Sequence, residues 1–347
     1  MQKTSQDATK KLKILACNPD GGAFYYIMEG IGHAFKDLGH EFRNWKGTDE
    51  ELKNYMPDIY LGCSGWRQNY PKWARDEYNT KIGIHINPWG STILKALPGE
   101  SNINESDEAK KWVLSQKPHF GYCYGNDEDI SHMWNRWNDI NVKMIPMPTA
   151  GNSIIYKPTN QNNNFKCDVG FIGGLWPYKG MNINKYLMPV LNAYNSIIYG
   201  WGGWGNHPKY RGHIKNEDVN VLLSSAKVCP SIVEPHTSRY GIDIPERMFK
   251  VPLGGGFTIC DPVENLNRYI SYDVFPTARN PNEYYDLVGY YCEHNDDRER
   301  LKRLQRHWIL KNHTYLNRIQ RILKICGYDK QAVEAQERVE FYVNSMV

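Results

Sequence analysis

The sequence predicts an α/β protein made of two doubly wound, Rossmann-like domains. Two observations carry this prediction: short apolar runs alternate with segments of helical spacing, and the alternation stops at a polar stretch and then restarts. The chain has 347 residues, of which 41% are hydrophobic and 23% charged, which excludes a mainly disordered or collagen-like chain. This length is typical of one large or two medium domains.

The first series of elements is predicted to form an N-terminal domain over residues 12–156. It opens with an apolar run that predicts a strand at 12–17, a Gly-containing turn at 18–22, and apolar positions at helical spacing over 24–38. Further strands are predicted at 58–63, 81–87, 119–124 and 142–147, with a short helix at 73–78. Residues 1–11 carry lysines but no apolar segment of a signal peptide, and predict a disordered tail.

The second series follows residues 157–166, a polar and Asn-rich stretch that predicts an interdomain linker. A second domain is predicted over residues 167–328. Its predicted strands lie at 169–172, 196–199, 228–232 and 257–260, and its helices at 183–194, 218–225, 247–253, 283–294, 298–310 and 315–326. The segment 329–347 is expected to form a C-terminal helix that crosses back to the first domain.

The composition narrows the possible classes of function. The net charge of 42 − 38 = +4 is too small to identify a nucleic-acid-binding protein. No uncharged stretch is continuous enough to span a bilayer. The eight cysteines show no zinc-ligand spacing, so no metal site is predicted, and buried reduced thiols in a cytoplasmic protein are expected.

Two features of the second half are suited to binding a phosphate. Gly173 and Gly174 follow a predicted strand, where main-chain N–H groups can approach an anion, and Lys179 adds a charge five residues later. Arg247 lies near the start of a predicted helix, and a guanidinium can bind two phosphate oxygens at once. A plain β/α turn also favours glycine, and an exposed helical arginine needs no ligand, so both alternatives stay open.

Four motifs in the second half suggest a family when taken together. They read DVGFIGGLWPYKG at 168–180, YRG at 210–212, PERMFKVPLGGG at 245–256 followed by FTICD, and HTY at 313–315. In this order they resemble the C-terminal domain of GT-B glycosyltransferases, most closely the CgeB-like branch (glycosyl transferases group 1), over residues 167–328. The resemblance implies two Rossmann-like domains that face a cleft, with the donor bound to the second domain and the acceptor to the first.

The resemblance further implies transfer of a sugar from a nucleotide-diphosphate donor of UDP or GDP type to a hydroxyl group. No metal or other cofactor is expected to be required. The residues expected to bind the donor are Gly173, Gly174, Lys179, Arg211, Glu234, Arg239, Tyr240, Glu246, Arg247, Lys250 and Gly255. In the family, an arginine at the position of Arg247 contacts the diphosphate. Gly255 can equally serve a tight turn.

The sequence departs from the family pattern at Lys250. A glutamate that binds the ribose hydroxyls usually stands there, and a lysine cannot accept a hydrogen bond from a diol. Glu246 or Glu234 could take over this role, or the nucleotide is held differently. Lys250 could meet an extra phosphate or a carboxylated sugar, or could be a solvated helical lysine.

Two residues of the first domain are candidates for catalysis at the acceptor. Asp20 lies in the Gly turn after the first strand, and His85 lies at the end of another strand. Asp20 could instead cap the first helix, and His85 could be a hydrogen-bonded core histidine. The acidic run 127–129 matches a metal-binding D-x-D motif but is better explained as a helix cap. Trp201 and Trp204 could stack on a base or sugar, or pack a surface loop.

Several functions remain open at this point. The acceptor could be a glycan, a lipid-linked sugar, a protein or a small molecule. A viral-type DNA-base glycosyltransferase would use the same scaffold on an extruded base. A non-catalytic sugar- or nucleotide-binding protein on a degenerate GT-B frame is supported by Lys250, and a nucleotide-sugar epimerase would need no acceptor.

Overall fold

A computed structural model describes residues 10–17, 21–86 and 107–346. Contacts divide the chain into two compact units: unit 1 comprises residues 1–148 and 315–341, and unit 2 comprises residues 149–314 and 342–347. Each unit contains a parallel sheet with helices, which confirms the predicted α/β fold class.

The elements are numbered along the described part of the chain. The strands are β1 (Lys13–Ala16), β2 (Glu41–Asn44), β3 (Ile59–Cys63), β4 (Lys81–His85), β5 (Phe120–Cys123), β6 (Met144–Pro146), β7 (Cys167–Ile172), β8 (Ser196–Tyr199) and β9 (Ala226–Val228). The helices are α1 (Gly22–Asp37), α2 (Asp49–Tyr55), α3 (Lys72–Tyr78), α4 (Asp107–Ser115), α5 (Asp127–Met133), α6 (Asn135–Asp139), α7 (Pro177–Asn182), α8 (Met188–Ala193), α9 (Asn216–Ser225), α10 (Pro235–Tyr240), α11 (Glu246–Leu253), α12 (Pro281–Glu293), α13 (Asn295–Asn312), α14 (Tyr315–Ile325) and α15 (Asp329–Asn344). A π-helical turn, Ile183–Leu187, joins α7 to α8.

Unit 1 contains a parallel sheet with the strand order β2-β1-β3-β4-β5-β6. The central strands are buried on both faces, and every residue of β3 is buried. This explains why they appear in the sequence as continuous apolar runs rather than alternating ones. The edge strand β2 was missed because its sequence EFRN contains a single buried apolar residue, Phe42.

Unit 2 contains a parallel sheet with the order β8-β7-β9, and main-chain hydrogen bonds extend it. The N–H of Cys229 donates to the Phe257 carbonyl oxygen at 2.8 Å, and the N–H of Ser231 donates to that of Ile259 at 2.9 Å. The two segments predicted as strands at 228–232 and 257–260 therefore pair with each other. The core of this unit packs strand residues such as Val169 against helical residues of 183–191.

The C-terminal helices differ from the predicted division. The predicted second domain ends at residue 328, whereas contacts group residues 315–341 with unit 1. Helix α14 packs closely on α1, and Arg338 of α15 forms an ion pair with Asp37 of α1 at 3.2 Å.

The last helix was expected to cross back to the first domain. Its residue Val333 is 56% exposed, and Tyr342, Val343 and Met346 are partly buried against an apolar cluster of unit 2.

The contact between α1 and α14 depends on a glycine. A Cβ atom added to Gly30 would lie 2.1 Å from the Cε2 atom of Tyr315, whose side chain is buried. We expect Gly30→Ala to lower the free energy of unfolding by about 1–3 kcal/mol, because overpacking outweighs the better helix propensity of alanine. Urea denaturation measures this change. Gly205→Ala is the control, since a Cβ there meets nothing within 4 Å, and equal effects of both variants would contradict the close packing.

Candidate functional site

The side chain of Arg247 lies at the carboxyl end of β7 in unit 2. The residue is in the first turn of α11, as predicted. Its Nε donates to the Ile172 carbonyl oxygen at 2.8 Å and its Nη1 to that of Ile232 at 3.3 Å, while Cζ lies 4.5 Å from the centroid of the Phe171 ring. A Cβ on Gly173 would lie 2.1 Å from Nη2, so a glycine is needed there to admit the guanidinium.

The main chain of Gly173 belongs to the sheet. Its N–H donates to the Tyr199 carbonyl oxygen at 2.9 Å, and its carbonyl oxygen accepts a hydrogen bond from Trp204 Nε1 at 2.8 Å. The sequence suggested that this amide could approach a phosphate, but the structure engages it in strand pairing. Gly173 instead provides the space that the Arg247 side chain occupies.

Lys179 adds a second positive charge to this region. It lies in the short helix α7 and is only 5% exposed, and its Nζ is 4.9 Å from the centroid of the Trp176 ring. Burial, and then the charge of Arg247, lower the pKa of Lys179 to about 7, although Glu234 and Asp261 act in the opposite direction. Burial likewise lowers the pKa of Arg247, to about 10.

Two carboxylates offset these charges. Asp261 is fully buried, and its Oδ1 and Oδ2 accept hydrogen bonds from the Val233 N–H at 3.3 and 3.1 Å. Burial raises the pKa of Asp261 to about 7, against the effect of this hydrogen bond and of Lys179 and Arg247. Burial also raises the pKa of Glu234, with His236, Lys179 and Arg247 opposing the shift. Each carboxylate therefore interacts with both cations.

A buried histidine lies beside Glu234. The Nδ1 of His236 is 3.8 Å from Glu234 Oε2, and its Nε2 is 3.8 Å from Asp243 Oδ2. The ring stacks on Tyr178, with centroids 5.9 Å apart and an interplanar angle of 9°, and the His236 N–H donates to Tyr178 Oη at 3.1 Å. This arrangement connects the start of α10 to α7, which carries Lys179.

Sequence reasoning named Glu234 but missed His236, Asp243 and Asp261. Their positions gave one signal, because residues 234–236 lie just after the predicted strand at 228–232 and Asp261 directly follows the predicted strand at 257–260. The carboxyl ends of neighbouring parallel strands meet at one edge of a sheet. Nothing in the sequence indicated that Asp261 is fully buried.

Two tryptophans form a partly exposed aromatic surface next to Gly174. The rings of Trp176 and Trp201 stack with centroids 5.0 Å apart and an interplanar angle of 8°. Trp201 is 55% exposed, whereas Trp204 is buried in the core. A Cβ on Gly174 would lie 2.5 Å from the Trp201 ring, so this glycine too makes room for a side chain.

Three predicted donor-binding residues make contacts of other kinds. Arg211 is exposed, and its Nη1 donates to the Asn164 carbonyl oxygen at 2.9 Å. Arg239 is exposed at the end of α10, with Cζ 5.5 Å from the centroid of the Tyr240 ring. Donor binding by Arg211, Arg239 and Tyr240 stays a prediction.

The remaining predicted residues lie on α11 or directly after it. Glu246 is the first residue of α11, and Lys250 lies one turn later with its Nζ 5.5 Å from the centroid of the Tyr156 ring. Burial lowers the pKa of Lys250, and Glu246 opposes the shift. Gly255 has a φ of +79° in the turn after α11, where a Cβ would meet Ser224 Oγ at 2.8 Å, so it serves the turn.

The predicted catalytic residues belong to unit 1. Asp20 lies outside the described residues. His85 is buried at the end of β4, with its Nδ1 3.6 Å from Cys63 Sγ and its ring centroid 4.2 Å from that of Tyr124. Burial lowers the pKa of His85 to about 3, so the ring is neutral at neutral pH.

The acidic run at 127–129 caps a helix, as the sequence indicated. Asn126 accepts a hydrogen bond from the Asp129 N–H at 3.0 Å, and Asp129 accepts one from the Asn126 N–H at 2.8 Å. This reciprocal pair is a capping box at the start of α5. In the described ranges of the chain, no three His, Cys, Asp or Glu side chains are grouped to hold a metal ion.

The buried charge of Asp261 has a measurable consequence for stability. Because its pKa is raised from 3.8 to about 7, the folded state keeps a proton that the unfolded chain loses, and this group lowers stability as pH rises between about 4 and 7. Asp261→Asn removes that effect. We expect the unfolding free energy of the variant relative to wild type to rise with pH, by at most about 1.4 kcal/mol per pH unit.

Urea denaturation at several pH values between 4.5 and 7.5 measures this difference. Asp273→Asn is the control, because Asp273 is exposed. If the Asp261→Asn and wild-type stability curves run parallel over this pH range, the burial of a shifted carboxyl group is contradicted.

Part of the chain resembles a known protein family. Residues 185–324 match the family described as Glycosyl transferase-like. No curated protein matches the sequence. In the described residues, no helix is long and apolar enough to cross a membrane.

Solved structures with the same fold extend over almost the whole chain. T4 phage β-glucosyltransferase is 13% identical, covers 96% of this chain and 99% of its own, and gives a TM-score of 0.54. Sucrose-phosphate synthase from Thermosynechococcus elongatus is 10% identical, with coverages of 93% and 98% and a TM-score of 0.55. Anabaena Alr3699/HepE is 11% identical, with coverages of 91% and 100% and a TM-score of 0.56.

These structures share the GT-B fold, which confirms the predicted architecture of two Rossmann-like domains. The family match confirms the predicted enzyme class, a glycosyltransferase.

Proposed function

We propose that the protein transfers a sugar from a nucleotide-diphosphate donor to a hydroxyl acceptor, and that Arg247 and Lys179 bind the diphosphate. One observation carries the proposal: two cations are held largely out of water at the carboxyl edge of a parallel sheet, beside the Gly173–Gly174 loop. Ligands of doubly wound folds bind at this edge. Asp261 and Glu234 compensate these charges only in part, because burial raises the pKa of both carboxyl groups, so a dianionic ligand would complete the balance of charge.

The geometry of Arg247 suits stabilisation of a leaving group. As the bond between the sugar and the diphosphate breaks, negative charge grows on the phosphate oxygens. Hydrogen bonds to the carbonyl oxygens of Ile172 and Ile232 already hold the guanidinium in place, so little reorganisation is needed when that charge appears. Arg247 thus contributes more to the transition state than to the ground state.

A UDP-sugar is the first donor to test. T4 phage β-glucosyltransferase has been solved with UDP-glucose, and Anabaena Alr3699/HepE with UDP and glucose. A CgeB-like family position fits the motifs in unit 2 and stays part of the proposal. Since Lys250 contacts Tyr156, we assign the ribose-binding role to Glu234, whose carboxylate interacts with Lys179 and Arg247. A GDP-sugar is the alternative donor.

We propose that the donor binds without a metal ion, because Lys179 and Arg247 can neutralise two phosphate charges. The T4 phage enzyme has been solved with UDP and Mn²⁺, so the metal requirement of this protein has to be tested directly. Turnover that persists in EDTA supports metal independence, and turnover restored only by Mn²⁺ refutes it.

We assign acceptor binding and the catalytic base to unit 1. The lowered pKa of His85 makes it a weak base, so Asp20 is the stronger candidate for accepting the acceptor proton. The eight buried, reduced cysteines are typical of a reducing compartment, and we propose a cytoplasmic enzyme on that ground.

A DNA base is the second candidate acceptor. It is favoured by the shared fold with a β-glucosyltransferase described as a DNA-modifying enzyme, which covers 96% of this chain at a TM-score of 0.55. Binding to duplex DNA that weakens steeply between 50 and 200 mM salt would support it. The absence of such binding, with turnover on a small-molecule or glycan hydroxyl, would favour the other acceptor classes.

Arg247→Ala tests the diphosphate site. The loss of a charge-assisted contact should weaken UDP-glucose binding and turnover at least tenfold, or about 1.4 kcal/mol. Calorimetry and a UDP-release assay measure the two effects, and circular dichroism checks folding. Arg279→Ala is the matched control, because the Arg279 side chain is 88% exposed. Unchanged binding by folded Arg247→Ala protein would reject the assigned role.

The pH dependence of donor binding tests Lys179. Because its pKa in the free protein is lowered to about 7, the lysine loses its charge as pH rises above 7, and UDP-glucose affinity should fall by up to about tenfold per pH unit. The donor itself has no titrating phosphate between pH 7 and 9. Lys179→Arg keeps its charge, so its affinity should fall less than that of wild type over this range, with the ionisation of Asp261 as the remaining cause. A wild-type affinity that is flat from pH 7 to 9 would contradict the proposal.

A further inference from the structure

We infer that the stacked Trp176–Trp201 pair forms the surface on which the sugar ring of the donor packs. The inference rests on the proposed function and adds a contact that determines which donors bind. Trp201 presents more than half of its surface to solvent while its ring is held against Trp176. A large aromatic side chain that is both exposed and held in place is a typical element of a binding surface.

The two tryptophans lie on loops that are bonded to each other. The Leu175 N–H donates to the Trp201 carbonyl oxygen at 2.9 Å, and the Gly203 N–H donates to that of Leu175 at 2.7 Å. Gly202 has a φ of +86°, and a Cβ there would lie 2.1 Å from the Leu175 oxygen. The loops can approach this closely only because Gly202 has no side chain. The aromatic surface is therefore preorganised rather than formed by a mobile side chain.

The position of the pair relative to the cations favours the sugar over the base. Gly173 contacts the Arg247 guanidinium and the next residue, Gly174, contacts the Trp201 ring, and consecutive Cα atoms are about 3.8 Å apart. Lys179 Nζ lies 4.9 Å from the centroid of the Trp176 ring. The sugar is bonded directly to the outer phosphate, whereas the base is separated from the inner phosphate by the ribose. A phosphate held by the two cations thus brings the sugar within reach of the indoles.

The chemistry of the surface matches one face of a sugar. A pyranose ring presents C–H groups on its faces and hydroxyl groups around its rim. The indole of Trp201 can cover the C–H face and remove apolar surface from water, while the rim stays hydrated. A neutral hexose such as glucose fits this surface.

Comparing UDP with UDP-glucose isolates the sugar contact. We expect Trp201→Ala to weaken UDP-glucose binding at least fivefold and to leave UDP binding within twofold of wild type, as measured by calorimetry. Trp201→Phe keeps an aromatic face and should recover most of the loss. Tyr272→Ala is the control, because Tyr272 is also about half exposed in unit 2 and should change neither affinity.

The other outcomes distinguish a wrong sugar contact from a wrong proposed function. An equal loss of UDP and UDP-glucose affinity in Trp201→Ala would show that the indole stacks on the nucleotide, and would overturn the inference. Unchanged affinity for both would overturn it as well. If the wild-type protein binds neither UDP nor UDP-glucose, and neither GDP nor GDP-glucose, the proposed function fails and the inference fails with it. Wild-type binding without the predicted Trp201 effect rejects the inference alone.

Discussion

The burial of two positive charges at one edge of a sheet is the constraint around which unit 2 is arranged. A lysine or arginine side chain leaves water only when other groups replace its hydration. Here main-chain carbonyl oxygens at the strand ends bind Arg247, and the carboxylates of Asp261 and Glu234 interact with both cations. The lowered pKa values of Lys179 and Arg247 indicate that these groups replace the lost hydration of the two cations only in part. An anionic ligand bound beside both side chains would replace the rest.

The parallel sheet creates this edge, and small residues keep it open. Strand β7 ends at Ile172, whose carbonyl oxygen accepts from Arg247, and Gly173 lets the guanidinium lie against the main chain. Gly174 likewise leaves room for the Trp201 ring beside the main chain. The two glycines therefore act through the absence of a side chain. A loop of larger residues would displace both the cation and the aromatic surface.

The sequence was sufficient to predict the fold class and part of the site. The β/α alternation and the motif around Gly173 and Arg247 depend on local spacing, so the strand, the turn and the helix that carry them were found. Asp261 and His236 were missed because their importance depends on burial and on neighbours far away in the sequence. Donor binding by Arg211 was carried over from a family motif and stays a prediction, whereas Gly255 serves the turn that the sequence also allowed. The exposure of Val333 and the grouping of α14 with unit 1 depend on packing, which no local pattern records.

A crystal structure with UDP-glucose bound is the decisive experiment. We predict that the phosphates lie within hydrogen-bond distance of Arg247 Nη2 and Lys179 Nζ, at the carboxyl end of β7. Arg247 should keep its hydrogen bond to the Ile172 carbonyl oxygen. Phosphates bound at another part of the chain, with Lys179 still buried beside Asp261 and Glu234, would rule out the proposed diphosphate site.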